Sequence, residues 1–429
     1  MSDIPGIYHK AVKTAPIPWH GQPIEVVSLG CGSSLSGPAQ QAVANAELVL
    51  GSTRQLAEVA HIESRADQQA FPSPFSELAN ILADNQDKSI VVLASGDALF
   101  YGVGSWLDRV IGRQHLVFHP NISSVQACFH AIGQPWQGAE VASVHGRALE
   151  SLGRHLRNHA LLALLTDAKS NPAAVGRKLV DLGLEPSTVW VCEAMGTEEQ
   201  AVTQFTAEEL AQDSREFNPL NVCIVRVQGE PRELPSFPGI PDHWFVTGSE
   251  PGYGMISKRE TRLAILSLMQ PTPEEIAWDL GAGCGSVSVE WARWNNHGRI
   301  YAVENDSARV DCIRENSRKF GTELNLDIIE GTAPACCADL PQPNAIFIGG
   351  SGDLDDMLNF GWETLPAGGK LVASAVTEKS QAALQRFLEG KPGREWISLD
   401  VEKNLPHSEQ TRQLATVHLG KCVMPGGKP

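Results

Sequence analysis

The feature that most constrains this fold is a strand, a glycine turn and a helix that follow one another within residues 276–294. The apolar run IAWDL is typical of a buried parallel strand. It leads directly into GAGCGS, with Gly281, Gly283 and Gly285, and VSVEWARW then has helical spacing. This order places backbone N–H groups at a helix N-terminus beside the end of a sheet.

The spacing of the glycines limits what the turn can bind. A dinucleotide-binding G-x-G-x-x-G turn would need glycine at position 286, where this chain has Ser286. The G-x-G-x-G form instead lets the backbone approach the amino-acid and ribose parts of a ligand that has no pyrophosphate. The turn therefore predicts a nucleoside ligand other than a dinucleotide.

Four further strands follow at α/β spacing. RIYAV ends at Glu304, whose carboxylate can accept both hydrogen bonds from a ribose diol. LDIIEGTAP predicts a strand with a turn at residues 331–333, placed to lie along an adenine, and NAIFIGGSGD predicts one that ends at Gly349 and Gly350. LPAGGKLVASAV predicts the fifth strand, so the order favours a doubly wound α/β sheet.

A proline-rich stretch divides the chain. Residues 229–242 contain four prolines in fourteen residues, which suits neither a helix interior nor a central strand. We predict a tail at 1–21, an N-terminal domain at 22–229, a linker at 230–244 and a C-terminal domain at 245–429.

Composition narrows the partners and the compartment. The net charge of −16 disfavours nucleic acid, because phosphate binding needs basic surface. No apolar run is long enough to span a bilayer, and the N-terminus lacks the layout of a signal peptide. Nine cysteines without a C-x-x-C pair fit a reducing cytoplasm and predict no metal site.

Residues 255–420 resemble the class I methyltransferases. GYGMISKRETRLAILSLM, GAGCGSVSVEWAR, YAVEND, RENSRKFG, EGTAP and IFIGGSGD together resemble the decarboxylating precorrin methyltransferase domain of cobalamin biosynthesis, although Ile256-Ser257 replaces the common Met-Thr. The resemblance implies a Rossmann-like, doubly wound seven-stranded sheet that binds S-adenosylmethionine. The implied cofactor-binding residues are Asp279, Gly281, Gly283, Gly285, Glu304, Asn305, Gly331, Thr332, Ala333, Gly349 and Gly350.

Residues 24–228 resemble a different family, the tetrapyrrole methyltransferases, which have a two-lobed class III α/β fold with a ligand cleft. The motifs are EVVSLGCGSSLSGP, SIVVLASGDALFYGVGSWL, NISSVQACFHAIGQPW, LLALLTDAKSNPAAVGRKLVDLG and VWVCEAMGTEEQ. Ser34 and Ala98 depart from the family's usual glycine and proline. The implied cofactor-binding residues are Gly30, Gly32, Leu35, Gly96, Asp97, Ser123, Ser124, Thr166 and Met195. Ser123 and Ser124 equally suit helix N-capping, and Thr166 suits a turn.

The two domains in this order resemble the fused, decarboxylating precorrin methyltransferase family. The resemblance implies methylation of a tetrapyrrole at meso carbons 5 and 15 with decarboxylation of its ring C acetate, and one S-adenosylmethionine per domain. The C-terminal domain would perform the decarboxylation and the transfer to carbon 15, and the N-terminal domain the transfer to carbon 5. A homo-oligomer formed through the C-terminal domain is also implied.

This chemistry needs positioning and water exclusion more than a strong base. Glu260 is a candidate acid for the decarboxylation, although an acid in the first turn of a helix is common on electrostatic grounds alone. Lys258, Arg259 and Arg262 are candidates for binding the carboxylates of the substrate, or they form an ordinary solvated helix face.

Two other functions fit parts of the sequence. One is an RNA methyltransferase with an N-terminal binding module, which predicts a basic, aromatic-rich run that the N-terminal half does not contain. The other is a non-catalytic tetrapyrrole carrier, which would not need a glycine turn in each half.

Overall fold

The computed structural model describes residues 16–32, 34–144, 149–156, 159–229, 235, 237–250, 253–295, 297–349, 353–404 and 411–426. Contacts divide the chain into two compact units, one of Met1–Leu149 with His155–Arg232, the other of Glu150–Arg154 with Glu233–Pro429. The predicted domain boundaries stay a prediction, since part of the predicted linker lies outside the described residues. Within the described ranges, none of the helices has the length and apolar character needed to cross a bilayer.

The first unit contains two five-stranded sheets, and the first of these is parallel. Its elements are β1 (Ile24–Ser28), α1 (Gly37–Asn45), β2 (Leu48–Gly51), α2 (Thr53–Val59), β3 (Asp67–Ala70), α3 (Leu78–Asp84), β4 (Ile90–Ala94), α4 (Gly104–Ile111) and β5 (Leu116–His119). The strand order is β3-β2-β4-β1-β5. Alternate strand residues enter separate cores, Val26 with α3 and α4, Val27 with α1 and α2. Because the strands are parallel, the loops that follow β1, β2, β4 and β5 share one edge.

The second sheet of this unit is mixed. Its elements are α5 (Ser124–Ala131), β6 (Glu140–Ser143), β7 (Leu161–Leu165), α6 (Pro172–Asp181), β8 (Thr188–Glu193), β9 (Ala201–Thr206), α7 (Ala207–Gln212) and β10 (Asn221–Arg226). The order is β6-β7-β10-β8-β9, with β6 and β7 parallel and the other pairs antiparallel. Val125, Cys128 and Phe129 of α5 pack on this sheet. Each of the two sheets therefore has its own core, and the unit has two lobes.

The second unit is built on a seven-stranded sheet. Its elements are α8 (Arg259–Met269), β11 (Ile276–Leu280), α9 (Ser286–Trp294), β12 (Arg299–Glu304), α10 (Ser307–Phe320), β13 (Leu326–Glu330), β14 (Ala345–Ile348), α11 (Leu354–Thr364), β15 (Lys370–Ala375), α12 (Glu378–Leu388), β16 (Glu395–Leu399), β17 (Glu402–Asn404), β18 (Thr411–Gln413) and β19 (Val417–Val423). The order is β13-β12-β11-β14-β15-β19-β16, and β17 and β18 form a separate pair. The strands from β11 to β15 are parallel, whereas β19 is antiparallel to both of its neighbours.

Helices cover both faces of this sheet. Phe347 of β14 packs with α8, α9 and α10 on one face, whereas Ile346 and Ile348 pack with α11 and α12 on the other. The strand order reverses between β11 and β14, and ligands bind at the carboxyl ends of strands at such a switch point. The predicted fold class is confirmed, a two-lobed α/β unit followed by a doubly wound seven-stranded one.

Candidate functional site

In the second unit, the predicted glycine turn connects β11 to α9. Gly283 and Gly285 have φ angles of 60° and 77°, a left-handed conformation that favours glycine. A Cβ on Gly285 would lie 2.9 Å from Cγ2 of Ile313, and a Cβ on Gly283 would lie 3.0 Å from the carbonyl oxygen of Met255. Both positions therefore require glycine for the conformation and for the space.

The carboxylate of Glu304, at the end of β12, is bonded to the backbone around it. Its Oε2 accepts a hydrogen bond from the N–H of Gly283 at 2.8 Å. Its Oε1 accepts from the N–H groups of Asn305 and Asp306 at 3.0 and 3.1 Å. A carboxylate offers about four acceptor positions, so these bonds leave acceptor capacity on Oε2. The strand tip and the glycine turn are thus two parts of one site.

Asp279 of β11 is buried just before the turn. Ser288 Oγ donates to its Oδ2, and among the described residues its Oδ1 has no hydrogen-bond partner. Burial raises the pKa of this carboxyl to about 7, although the hydrogen bonds from Ser288 oppose the shift. A buried acid with an open acceptor atom can interact with a cationic ligand group.

Two more loops reach the same edge of the sheet. The N–H of Gly331, after β13, donates to the carbonyl oxygen of Glu304 at 2.9 Å, and a Cβ on Gly349 would lie 3.2 Å from the carbonyl oxygen of Gly281. Gly350 lies outside the described residues. The other predicted residues, which the strand order brings to this edge, are Asp279, Gly281, Gly283, Gly285, Glu304, Asn305, Gly331, Thr332, Ala333 and Gly349.

Arg262 does not lie on an exposed patch, and its predicted role in binding substrate is wrong. The side chain is fully buried in α8, where Nε donates to Glu290 at 3.1 Å and Nη1 donates to Asp242 at 2.7 Å. Nη1 and Nη2 also donate to the carbonyl oxygens of Ser257 and Ile240. The guanidinium therefore joins α8 and α9 to the segments that precede them. Sequence alone gives the charge of this residue but not the helix face that becomes buried.

The two remaining cations lie at the start of α8. Burial lowers the pKa of Lys258, whose Nζ lies 5.9 Å from the centre of the Tyr253 ring. Arg259 is 47% exposed, and its Nε lies 3.4 Å from Oε1 of Glu260. Their predicted role in substrate binding stays a prediction.

Glu260, the predicted acid, forms an ion pair at the start of α8. Its Oε2 lies 2.7 Å from Nζ of Lys403. Burial alone would raise the pKa of Glu260, but the hydrogen bond and the charge of Lys403 hold it below its usual value. A proton donor needs a pKa near the working pH. The structure therefore shows Glu260 in an ion pair with Lys403, and its predicted catalytic role stays a prediction.

The first unit has an open cleft of about 540 Å³ at the edge where the loops of its parallel sheet meet. Loops after β1, β2, β4 and β5 contribute to it, together with the end of β8 and the start of β10. The predicted residues that line this cleft are Gly30, Gly32, Leu35, Gly96, Asp97, Ser123, Ser124 and Met195.

Two glycines form the closest contact across this cleft. Gly32 follows β1 and Gly196 follows β8, with φ angles of 71° and 84°. A Cβ on Gly196 would lie 2.2 Å from the backbone nitrogen of Gly32. The two lobes therefore meet backbone to backbone, at a point where a side chain does not fit.

Thr166 is the predicted residue that does not line the cleft. It is buried, and its hydroxyl donates to Oδ1 of Asn221, a residue that does line it. Ser123 has both predicted properties, because it lines the cleft and also caps α5 by accepting from Gln126 N–H at 3.2 Å. Thr166 therefore supports Asn221, which lines the cleft, and does not line it itself.

Sequence reasoning missed several residues of the cleft, among them Arg54, Glu58, Ser95, Gly196 and Asn221. For Arg54 a signal was present, since it lies in the first turn of the helix after β2, a strand whose carboxyl end lies at the cleft edge. Asn221 and Gly196 belong to strands and turns whose place depends on the pairing of β8 with β10, which no local pattern reveals.

Comparison with known proteins matches the two halves of the chain to two different family models. Residues 24–211 match the family model of tetrapyrrole (corrin/porphyrin) methylases, and residues 251–414 match that of the precorrin methyltransferase domain. A precorrin-6Y C(5,15)-methyltransferase [decarboxylating] of Sinorhizobium sp. is 34% identical over 377 residues, which cover 87% of this chain and 89% of the relative. The protein of that name from Mycobacterium tuberculosis (strain CDC 1551 / Oshkosh) is 31% identical over 84% of this chain and 89% of its own. A solved structure of precorrin-6y C5,15-methyltransferase from Geobacter metallireducens has 31% identity and a TM-score of 0.40, covering 43% of this chain and 96% of its own.

Proposed function

This chain belongs to the family of precorrin-6Y C(5,15)-methyltransferases (decarboxylating), and from this premise we propose the reaction that it catalyses. It methylates precorrin-6B at carbons 5 and 15 and removes carbon dioxide from the ring C acetate, giving precorrin-8X. One observation supports this above the others: each unit has its own glycine turn at the carboxyl ends of parallel strands. Two unlike sites in one chain suit a reaction with two methyl transfers.

S-adenosylmethionine is the proposed methyl donor, with one molecule in each unit. In the second unit, the turn at Gly283 and Gly285 provides a cradle that a Cβ would fill. Glu304 has acceptor capacity for a ribose diol, and the open Oδ1 of Asp279 suits the ammonium of the methionyl group. The other predicted residues, which would complete this site, are Gly281, Asn305, residues 331–333, Gly349 and Gly350.

In the first unit, the proposed cofactor residues are those that line the cleft, namely Gly30, Gly32, Leu35, Gly96, Asp97, Ser123, Ser124 and Met195. Ser123 and Ser124 stand at the N-terminus of α5 and both line the cleft, and the first N–H groups of a helix have no partner within the helix. Thr166 would hold Asn221 in place and would not contact the cofactor.

When bound, S-adenosylmethionine supplies a methyl group on a sulfonium, which is already activated for transfer to a nucleophilic carbon. The residues of this chain then need to orient the substrate and exclude water, and orientation alone can lower a barrier by on the order of 7–11 kcal/mol. The described residues hold no cluster of His, Cys, Asp or Glu with the arrangement of a metal site.

We propose that the two units divide the reaction. The second unit performs the decarboxylation and the transfer to carbon 15, and the first performs the transfer to carbon 5. The cleft of about 540 Å³ in the first unit has the volume of a small-molecule site. In the second unit, Lys258 and Arg259 are the proposed contacts for the carboxylates of the substrate.

The proposed compartment is the cytoplasm, and the proposed assembly is a homo-oligomer formed through the C-terminal domain. All nine cysteines are free thiols, which is the state that a reducing compartment maintains. The assembly is proposed from the family resemblance, and light scattering of the full chain and of its C-terminal domain would test it.

One experiment tests the reaction directly. The full chain is incubated with precorrin-6B and S-adenosylmethionine, and the product is followed by mass spectrometry. The expected product has gained two methyl groups and lost carbon dioxide. Unchanged precorrin-6B in the presence of folded protein would overturn the proposal.

A further inference from the structure

The cleft of the first unit has an unusual charge composition for a site that takes an anion. Its described lining includes Glu58 and Asp97, and Arg54 is the only arginine or lysine in it. The whole chain has a net charge of −16. A ligand with carboxylate groups would be repelled by this background, so any cation that contacts it should be specifically placed.

Arg54 is placed by two hydrogen bonds at the start of α2. Its Nη2 donates to Ser95 Oγ at 2.7 Å, and its Nη1 donates to Glu58 Oε1 at 2.8 Å. The side chain is 41% exposed. A guanidinium has five N–H donors in a planar fork, so these two bonds leave donors for a ligand.

Ser95 supplies a second hydrogen-bond donor beside Arg54. Its Oγ accepts from Arg54 and also from Nε2 of Gln55 at 2.9 Å, which fills both lone pairs of the hydroxyl. The hydroxyl proton is therefore available to donate, and Ser95 lines the cleft. Gln55 is buried, and its Oε1 accepts from Ser52 N–H at 2.7 Å. The positions of these donors are thus fixed by buried structure behind them.

Glu58 acts as a replaceable partner of Arg54. Their contact is an i,i+4 pair on the helix surface, with both side chains about two-fifths exposed. Such pairs contribute about 0.3–0.5 kcal/mol, so a ligand carboxylate can displace Glu58 at little cost. The glycine turn lies at the same cleft, since Cys31 and Gly32 line it together with Arg54 and Glu58.

We infer that Arg54 and Ser95 bind a carboxylate group of a ligand in the first unit. The inference rests on the proposed function, which supplies two sources of that group: an acetate or propionate arm of the precorrin, or the methionyl carboxylate of S-adenosylmethionine. The shared chemistry is bidentate capture of a carboxylate by a guanidinium, with the serine hydroxyl as an additional donor.

The test uses the full chain and the variant Arg54→Gln, with precorrin-6B and S-adenosylmethionine varied separately. We expect the KM of one of them for the carbon 5 transfer to rise about 10- to 100-fold, the range for losing a charged hydrogen bond. The decarboxylation and the carbon 15 transfer in the same tube should keep their rates. The matched control is Arg109→Gln, which changes an exposed arginine of α4 outside the cleft by the same charge.

The results separate the two sources and the two hypotheses. A rise confined to the KM of precorrin identifies a substrate arm, and a rise confined to the KM of S-adenosylmethionine identifies the cofactor carboxylate. Calorimetry with 5′-methylthioadenosine, which lacks the carboxylate, should then show no difference between wild type and Arg54→Gln. Equal KM values for Arg54→Gln and Arg109→Gln would overturn the inference. Absence of every product with wild type would instead overturn the proposed function.

Discussion

Each unit places a glycine turn at the edge of a sheet, but the two turns are held by different forces. In the second unit the turn is bonded to the buried carboxylate of Glu304, and α8 and α9 are joined by the buried Arg262. In the first unit Gly196 meets Gly32 backbone to backbone beside an open cleft. We therefore expect that removal of a buried charge lowers the stability of the second unit most, whereas addition of one carbon at the glycine contact lowers the activity of the first.

The largest expected effect is on the stability of the second unit. Arg262→Met should lower the free energy of unfolding by about 3–5 kcal/mol, because it leaves the fully buried carboxylate of Glu290 without its cation. Arg386→Met is the control, since Arg386 is 62% exposed and pairs with Asp355 at the surface. Urea unfolding followed by tryptophan fluorescence measures both, and the control should change by less than about 1 kcal/mol. Equal losses would mean that buried charge does not distinguish this unit.

The next effect is on catalysis by the first unit. Gly196→Ala should slow the carbon 5 transfer by about a hundredfold, because the new Cβ pushes apart the two loops that position the ligands. Gly133→Ala is a matched control, since Gly133 also has positive φ but a Cβ there meets nothing within 4 Å. Single-turnover kinetics with precorrin-6B would measure both variants. A similar slowing in the control would attribute the effect to backbone strain and not to the contact between loops.

A smaller effect depends on pH. Asp279 has a pKa of about 7 in the folded chain and near 4 when unfolded, so the folded state binds more protons between these values. The stability of the wild type should therefore fall as the pH rises from about 5 to 7, by at most about 1.4 kcal/mol per pH unit relative to Asp279→Asn. Denaturant midpoints of the two proteins at several pH values measure this difference. Parallel curves would contradict the buried position of the acid.

The smallest expected effect concerns the exposed cations of the second unit. Arg259→Glu should raise the KM of the tetrapyrrole by about fivefold at most, because contacts of exposed charges contribute about 0.2–1 kcal/mol. The KM of S-adenosylmethionine should change less. Equal changes in the two values would show that Arg259 does not bind substrate, and that the units differ also in how they hold anions.

Local patterns predicted much of the second unit. The strand at 276–280 and the strand tip at Glu304 were predictable because strand, turn and helix signals follow one another without long-range pairing. The position of Glu304 beside Gly283 then follows from adjacent parallel strands, whose carboxyl ends meet. Sequence and structure agree here because the site is made of consecutive βα units.

Other positions depend on packing that the sequence does not state. Arg262 has the charge of a surface residue and became the buried connection between two helices. Thr166 matched a cofactor-binding position, yet its hydroxyl faces Asn221, a residue 55 positions later in the sequence. The cleft around Arg54 needs both lobes in place before its residues come together. In each case the deciding contact joins residues whose separation along the chain carries no periodic signal.

The backbone hydrogen bonds on Glu304 have a kinetic consequence. The bond from the N–H of Gly283 holds the glycine turn before a ligand arrives, so the ordering of the turn takes place during folding and not during association. Ligand arrival at the second unit should then be a one-step event, with an observed rate that increases linearly with cofactor concentration in stopped-flow fluorescence. Glu304→Gln, which replaces one acceptor oxygen by a donor, should introduce a slower step that saturates at high concentration.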